Sequence, residues 1–241
     1  MQKNDLGKHI SQQFNTELED VRNRVLTMGG LVEQQLADAI KALMERDKEL
    51  GGNVISNDYQ VNEMEVSIDE ECTQIIAKRQ PTASDLRLVM AVIKTITDLE
   101  RIGDEAERFA KMMMKHTDEQ AASRHFGSIE AMGEQVRHIL HGALDAFARM
   151  DVDAASQTWL EDSKVDKLYE SITRELITYM MEDPRSIPWA LDVLWAARAL
   201  ERIGDRSSNI CEYVIYLVKG KDVRHTTSEQ MQREGIHPES E

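Results

Sequence analysis

The sequence predicts an all-α protein of six long helices, arranged as two tandem, pseudo-symmetric three-helix bundles. Three observations lead there. Apolar residues recur at steps of three and four along most of the chain. Punctuation is scarce: 241 residues hold 12 glycines and only 4 prolines, too few for the turns of a many-stranded sheet. The hexapeptide LERIGD is written twice, at Leu99–Asp104 and at Leu200–Asp205, which marks an internal repeat.

The first helix is predicted over roughly 11–49, with Leu18, Val21, Val25, Met28, Val32, Leu36, Ile40 and Leu43 on one face and Gly29-Gly30 as a possible bend. The second runs over roughly 53–79 on Val54, Val61, Met64, Ile68 and Ile75. RQPTASD then breaks the chain: Pro81 ends one helix, and Thr82 or Ser84 is expected to cap the next. The third helix covers roughly 84–117 with a stripe from Val89 through Leu99 and Ile102 to Phe109. The polar stretch HTDEQAASRH reads as a linker, followed by helices over about 123–150 and 152–182. EDPRSIP is the next break, with Ser186 expected as N-cap and Pro188 in the first turn of a sixth helix over about 186–219. The polar tail from Gly220 lacks periodicity and is expected to be loosely ordered.

The two halves align. Met28-Gly29 recurs as Met132-Gly133 and Asp58-x-x-Val61 as Asp162-x-x-Val165, both 104 residues on, while LERIGD recurs after 101. The spacing changes only across RQPTASD and EDPRSIP, where a turn can lose residues without breaking a helix. The predicted repeats are 8–118 and 123–219, with 220–241 as the tail. Each is an up-down-up bundle.

Inside each LERIGD two acids stand four residues apart, Glu100 with Asp104 and Glu201 with Asp205, stacked on one helix face beside the apolar stripe. Counting equal distances from the hairpin tips at about 1.5 Å per residue puts Asp58 and Asn62 level with the first pair. The same count puts Asp162 and Asp166 level with the second. Facing carboxylates repel unless protonated, solvated, bridged by arginine or shared by a cation. Two readings follow. Arg101, Arg108, Arg198, Arg202 and Arg206 can consume these acids in ordinary helical ion pairs. Alternatively, oxygen ligands on adjacent helices can hold a divalent or iron cation. Gly103 and Gly204 would then remove a side chain where ligands crowd close.

Other constellations are weaker. His138, His141 and Glu134 share a helix but read as a polar face, Glu65 and Asp69 as a solvated face out of level with Glu100, and Met112-Met113-Met114 as core. No phosphate loop, GxSxG or HExxH occurs. A ferritin-like redox or metal-storage bundle is the rival reading. It needs Glu-x-x-His on its helices, whereas Gly103 and Gly204 follow Glu100 and Glu201 by three, and the sole ExxH is Glu234–His237 in the tail.

A net charge of −15 disfavours nucleic acid and anionic membranes as direct partners. Cys72 and Cys211 lack metal spacing, MQKNDLGKHIS holds no signal-peptide core, and LRLVMAVIKTI is too short to span a bilayer. A reduced, cytoplasmic chain with no transmembrane segment is expected.

DLERIGDEAERFA, ALERIGDRSSNIC, RQPTASDLRLV and YMMEDPR together resemble the PhoU family of bacterial phosphate-signalling regulators over about residues 8–219. The resemblance implies a non-enzymatic cytoplasmic adaptor, commonly a homodimer, that reaches the membrane only through partners. Those partners are the ATPase subunit of the phosphate ABC transporter and the phosphate-sensing histidine kinase. It further implies negative regulation of phosphate uptake and of starvation signalling. Some relatives hold metal ions or iron clusters at acidic E/DxxxD motifs, positions that fall here on Glu100, Asp104, Glu201 and Asp205 with Asp162 and Asp166 beside them. Asn62 departs from that pattern, so the first half should hold a cation more weakly.

Overall fold

In the computed structural model, which describes residues 3–115, 126–224 and 226, every regular element is helical. The elements are α1 (Lys3–Glu45), α2 (Lys48–Asn57), α3 (Tyr59–Arg79), α4 (Ala83–Met114), α5 (Phe126–Arg149), α6 (Val152–Glu182) and α7 (Ile187–Lys219). A 3-10 turn, Pro184–Ser186, precedes α7. With α2 and α3 counted as one kinked rod, six long rods result. The predicted linker HTDEQAASRH and the tail ExxH, Glu234–His237, lie outside the described residues.

Several predicted boundaries shift for identifiable reasons. The first helix stops at Glu45, not 49, because Arg46 turns left-handed (φ 57°) and Asp47 caps α2 by accepting from the N–H groups of Glu49 (2.9 Å) and Leu50 (3.0 Å). The same turn recurs 104 residues later: Met150 is left-handed (φ 54°) and Asp151 caps α6 through the N–H of Ala154. Gly29-Gly30 does not interrupt α1. Thr82 and Ser186 make no side-chain cap to the helices they precede; Asp183 caps the 3-10 turn instead. The start of the tail is packed rather than loose, since Val223 is buried and Asp222 pairs with Arg224.

Within the first repeat α4 packs on α1 and α3; within the second α7 packs on α5 and α6. The repeats are not separate globules. Buried side chains from both form one continuous core in which Leu36, Ile68, Leu99, Phe109, Met132, Ile139 and Phe147 are fully enclosed. Each such side chain contributes about 1.5–3 kcal/mol by leaving water. The join is reciprocal. A Cβ on Gly29 would stand 2.5 Å from Leu144, and one on Gly133 would stand 2.8 Å from Ile40. Gly133 and Leu144 are the repeat equivalents of Gly29 and Ile40, so α1 and α5 cross antiparallel about a pseudo-twofold axis, with each glycine admitting the other helix's side chain.

The largest contact joins α4 to α7 across the repeats. Asp98 of α4, 2% exposed, accepts from Arg206 Nη1 (2.9 Å), Tyr213 Oη (2.7 Å) and Asn209 Nδ2 (3.4 Å) of α7. Farther along α4, Glu105 accepts from Arg202 Nη1 (3.0 Å), so the helices run antiparallel. Lys94 adds its ammonium over the rings of Tyr213 and Tyr216. Among the described residues no helix is long and apolar enough to cross a membrane.

The Asp98 carboxylate ties the repeats together with one arginine and two neutral donors. Replacing it by alanine leaves a half-buried guanidinium unmatched, and Asp98→Ala is expected to lower unfolding stability by about 3–5 kcal/mol in urea titration. A loss below about 1 kcal/mol would show the seam to be held by apolar packing alone.

Candidate functional site

LERIGD sits near the middle of α4 and again of α7. Its apolar residues, Leu99 with Ile102 and Leu200 with Ile203, are fully buried. That fixes the rotation of each helix and turns the neighbouring acids toward the flanking rod, α2–α3 or α6. The glycine between them permits the close approach. A Cβ on Gly204 would lie 2.9 Å from Asp162 Oδ1 and one on Gly103 would lie 3.2 Å from Asp58 Oδ1. The equivalent acid of the neighbouring rod thus rests over the glycine in both repeats.

In the second repeat the structure gathers a dense acidic group. Carboxylate oxygens of Asp166, Glu201 and Asp205 lie within 4.8 Å of one another, with Asp162 beside Asp205. Glu201 is 8% exposed; one of its oxygens takes Arg198, while Oε2 is buried with no hydrogen-bond partner. Burial first, then the charges of Asp205 and Asp166, push Asp162 from an ordinary 3.8 up to about 7. Partial removal from water and their acidic neighbours also raise Glu201 and Asp205, against the opposing pull of Arg198 and Arg202 on both and of Arg206 on Asp205. Asp162, Ser208, Asp205, Arg202 and Arg206 line a cavity of about 680 Å³ between α6 and α7. The Ser208 hydroxyl lies near enough to Asp162 to favour its charged form slightly, yet makes no well-formed hydrogen bond.

The first repeat is built differently. Asp58, 7% exposed, sits at the α2–α3 kink and accepts from Gln35 Nε2 (2.8 Å) on Oδ1 and from Asn62 Nδ2 (3.2 Å) on Oδ2. Asn62 therefore braces Asp58 through its amide nitrogen, and the amide oxygens of Gln35 and Asn62 are buried without partners. Glu100 and Asp104 are raised chiefly by partial removal from water, then by each other's neighbourhood: Asp104 and Glu65 act on Glu100, Asp58 and Glu107 on Asp104. Glu65, expected on a solvated face out of level with Glu100, is nevertheless near enough for its charge to act on that carboxyl. Among the described residues only the second repeat brings three acidic oxygens into one cluster.

The arginine pairs are distributed unevenly over the acids. Arg198 pairs with Glu201, but Arg202 goes to Glu105 and Arg206 to Asp98; on α4, Arg101 approaches Asp98 and Arg108 takes Glu105. Asp162, Asp166 and Asp205 lie outside these arginine pairs. His138 and His141 stay exposed, meeting Glu161 and Glu33.

An oxygen-only set spread over two helices suits a hard cation, with the orphaned Glu201 Oε2 free to serve as a ligand and Gly204 letting Asp162 approach. The first repeat, with one buried carboxylate already braced by amides, offers fewer charges. Gln35 and Ser208 escaped sequence reasoning. Gln35 is signalled as the polar interruption in the Met28–Val32–Ala39 stripe, and Ser208 as the residue three beyond Asp205 on the same face.

A family model described as "PhoU domain" matches residues 25–113 and again 129–214. A Serratia marcescens protein named phosphate-specific transport system accessory protein PhoU is 55% identical over 233 residues, covering 97% of this chain and 96% of the relative. The protein of the same name from Escherichia coli (strain K12) is 53% identical, with 95% of each chain covered. The crystal structure of PhoU from Pseudomonas aeruginosa superposes with a TM-score of 0.83 at 50% identity, covering 86% of this chain and 100% of that one. That of the phosphate transport system regulatory protein PhoU from Streptococcus pneumoniae gives 0.81 at 31%, covering 87% and 99%.

Because Asp162 keeps its proton to about pH 7 when folded but loses it near 3.8 when unfolded, folding takes up a proton between those values. Stability of the metal-free chain is expected to fall as pH rises from about 4 to about 7. Asp162→Asn should flatten that slope and melt higher than the parent at pH 8. Parallel melting-temperature profiles for the two proteins would overturn the assignment.

Proposed function

The chain belongs to the PhoU family, and from that membership we propose that it regulates a phosphate-specific transport system as an adaptor rather than as an enzyme. In this reading it docks on the ATPase subunit of a phosphate ABC transporter and on a phosphate-sensing histidine kinase. There it restrains uptake and keeps starvation genes off while phosphate is plentiful. The observation that carries the reading is likeness along nearly the full chain, at more than half identity, to proteins named as accessory to phosphate-specific transport. The acidic charge supports contacts with basic protein patches rather than with nucleic acid.

The acidic group of the second repeat is proposed as a cation site, with Asp166, Glu201 and Asp205 as its oxygen ligands and Asp162 beside them. A cation there would stabilise the α6–α7 packing by neutralising carboxylates that otherwise repel. Asp58, Asn62, Glu100 and Asp104 form the weaker counterpart. No histidine stands among these oxygens, which supports a regulatory or structural ion over ferritin-like redox chemistry.

Deleting the gene from its host should leave starvation promoters active in phosphate-rich medium, with repression restored by the wild-type chain. Normal repression in the deletion strain would rule out the regulatory role. For the ion, elemental analysis after purification without chelator is expected to show metal that is lost from the Glu201→Ala/Asp205→Ala double variant. An unchanged metal content would refute the ligand assignment.

A further inference from the structure

The cavity between α6 and α7 is much larger than a cation needs, since oxygen ligands close in at only about 2.0–2.6 Å. Asp166 and Asp205 line it, and so do Arg202, Arg206 and Asn209. Ser208, 5% exposed, lines the same space with a buried hydroxyl that has no hydrogen-bond partner. A cation alone would account for the carboxylates and not for the arginines.

We propose that this cavity binds a protonated tetrahedral oxyanion, inorganic phosphate, between a cation held on Asp166, Glu201 and Asp205 and the guanidinium groups of Arg202 and Arg206. The inference rests on the cation site proposed above. Three carboxylates leave positions open on a six-coordinate ion, and an oxyanion oxygen fills one of them where water otherwise would. Without the cation the carboxylates repel any anion, so binding requires the metal.

The arginines are placed to serve. Each gives an Nη1 group to an acid of α4, and a guanidinium carries five N–H donors in a fork that matches oxyanion geometry. Each α4 acid also has a second donor: Arg108 Nη1 holds Glu105 at 2.7 Å and Tyr213 Oη holds Asp98 at 2.7 Å. Turning toward a bound anion therefore strands no buried carboxylate. The Ser208 hydroxyl supplies a further donor.

Selectivity follows from the remaining lining. Asp162 and Glu212 also line the cavity, with Glu212 Oε1 accepting from Trp159 Nε1 (3.2 Å). A carboxylate accepts the P–O–H of hydrogen phosphate but repels sulfate, which carries no proton near neutral pH. A phosphorylated side chain of a partner shares this chemistry, and the experiment separates the two sources.

The test titrates inorganic phosphate into the full-length chain, metal-free and loaded with Mn²⁺, by calorimetry and by ³¹P relaxation. Phosphate is expected to bind only the Mn²⁺-loaded protein, to show paramagnetic broadening of its ³¹P signal, and to resist competition by equal sulfate. Arg202→Gln and Ser208→Ala should each weaken phosphate by roughly ten-fold or more while leaving Mn²⁺ affinity unchanged. Neither substitution disturbs the buried Asp98, so both chains are expected to fold. Mn²⁺ binding without phosphate binding overturns this inference and leaves the cation site standing. Failure to bind Mn²⁺ overturns both. Displacement by sulfate, or tighter binding of a phosphoserine peptide than of inorganic phosphate, overturns the assignment to free phosphate.

Discussion

A carboxylate cannot be set between packed helices without opposite charge or donors to meet it, and α7 is organised around that constraint. Arg202 and Arg206 lie on the stripe of the helix that meets Glu105 and Asp98 of α4. Glu201 and Asp205 lie on the next stripe, toward Asp162 and Asp166 of α6. On the first seam the protein neutralises its buried acids with its own guanidinium groups, and the repeats are joined. On the second it supplies acids to both walls and leaves Asp162, Asp166 and Asp205 outside the arginine pairs. The ion-pair seam holds the repeats together; the other is where the cation site is proposed.

The two repeats have diverged along this line. In the second, every member of the level-matched quartet is acidic. In the first, Asn62 stands at the position of Asp166 and turns its amide to Asp58, Gln35 reaches in from α1 to the other carboxylate oxygen, and the rod kinks there into α2 and α3. Amide bracing satisfies a buried carboxylate without an ion. Duplication thus left one half with a carboxylate held by the protein itself and the other with an open acidic cluster.

Much of this was legible in the sequence because it depends on translation along helices, which periodicity and a fixed rise per residue report. The repeat offset, the six rods, the burial of Leu99 and Ile102, and the matching of Asp162 and Asp166 with Glu201 and Asp205 all follow from counting. What escaped depends on rotation and on third helices. Gln35 enters from α1, whose angular setting against α4 no count reveals. The division of Arg202 and Arg206 away from the adjacent acids depends on which neighbour each stripe faces. Glu65 was placed by height alone, though long side chains reach a full turn along a helix. The break at Arg46 carries no glycine or proline to announce it, although Asp47 recurs as Asp151 at the repeat spacing.

The reciprocal fit of Gly29 against Leu144 and Gly133 against Ile40 bears on the history of the chain. A knob and socket that are each other's symmetry mates form a surface complementary to itself. A forebear carrying one bundle would have closed on a second molecule through that same surface, and gene fusion then converted an intermolecular bond into an internal one. Covalent linkage keeps the halves together at any dilution, which relieved each half of remaining identical to its twin. The freedom to specialise one half while preserving the other has its physical origin in that tether.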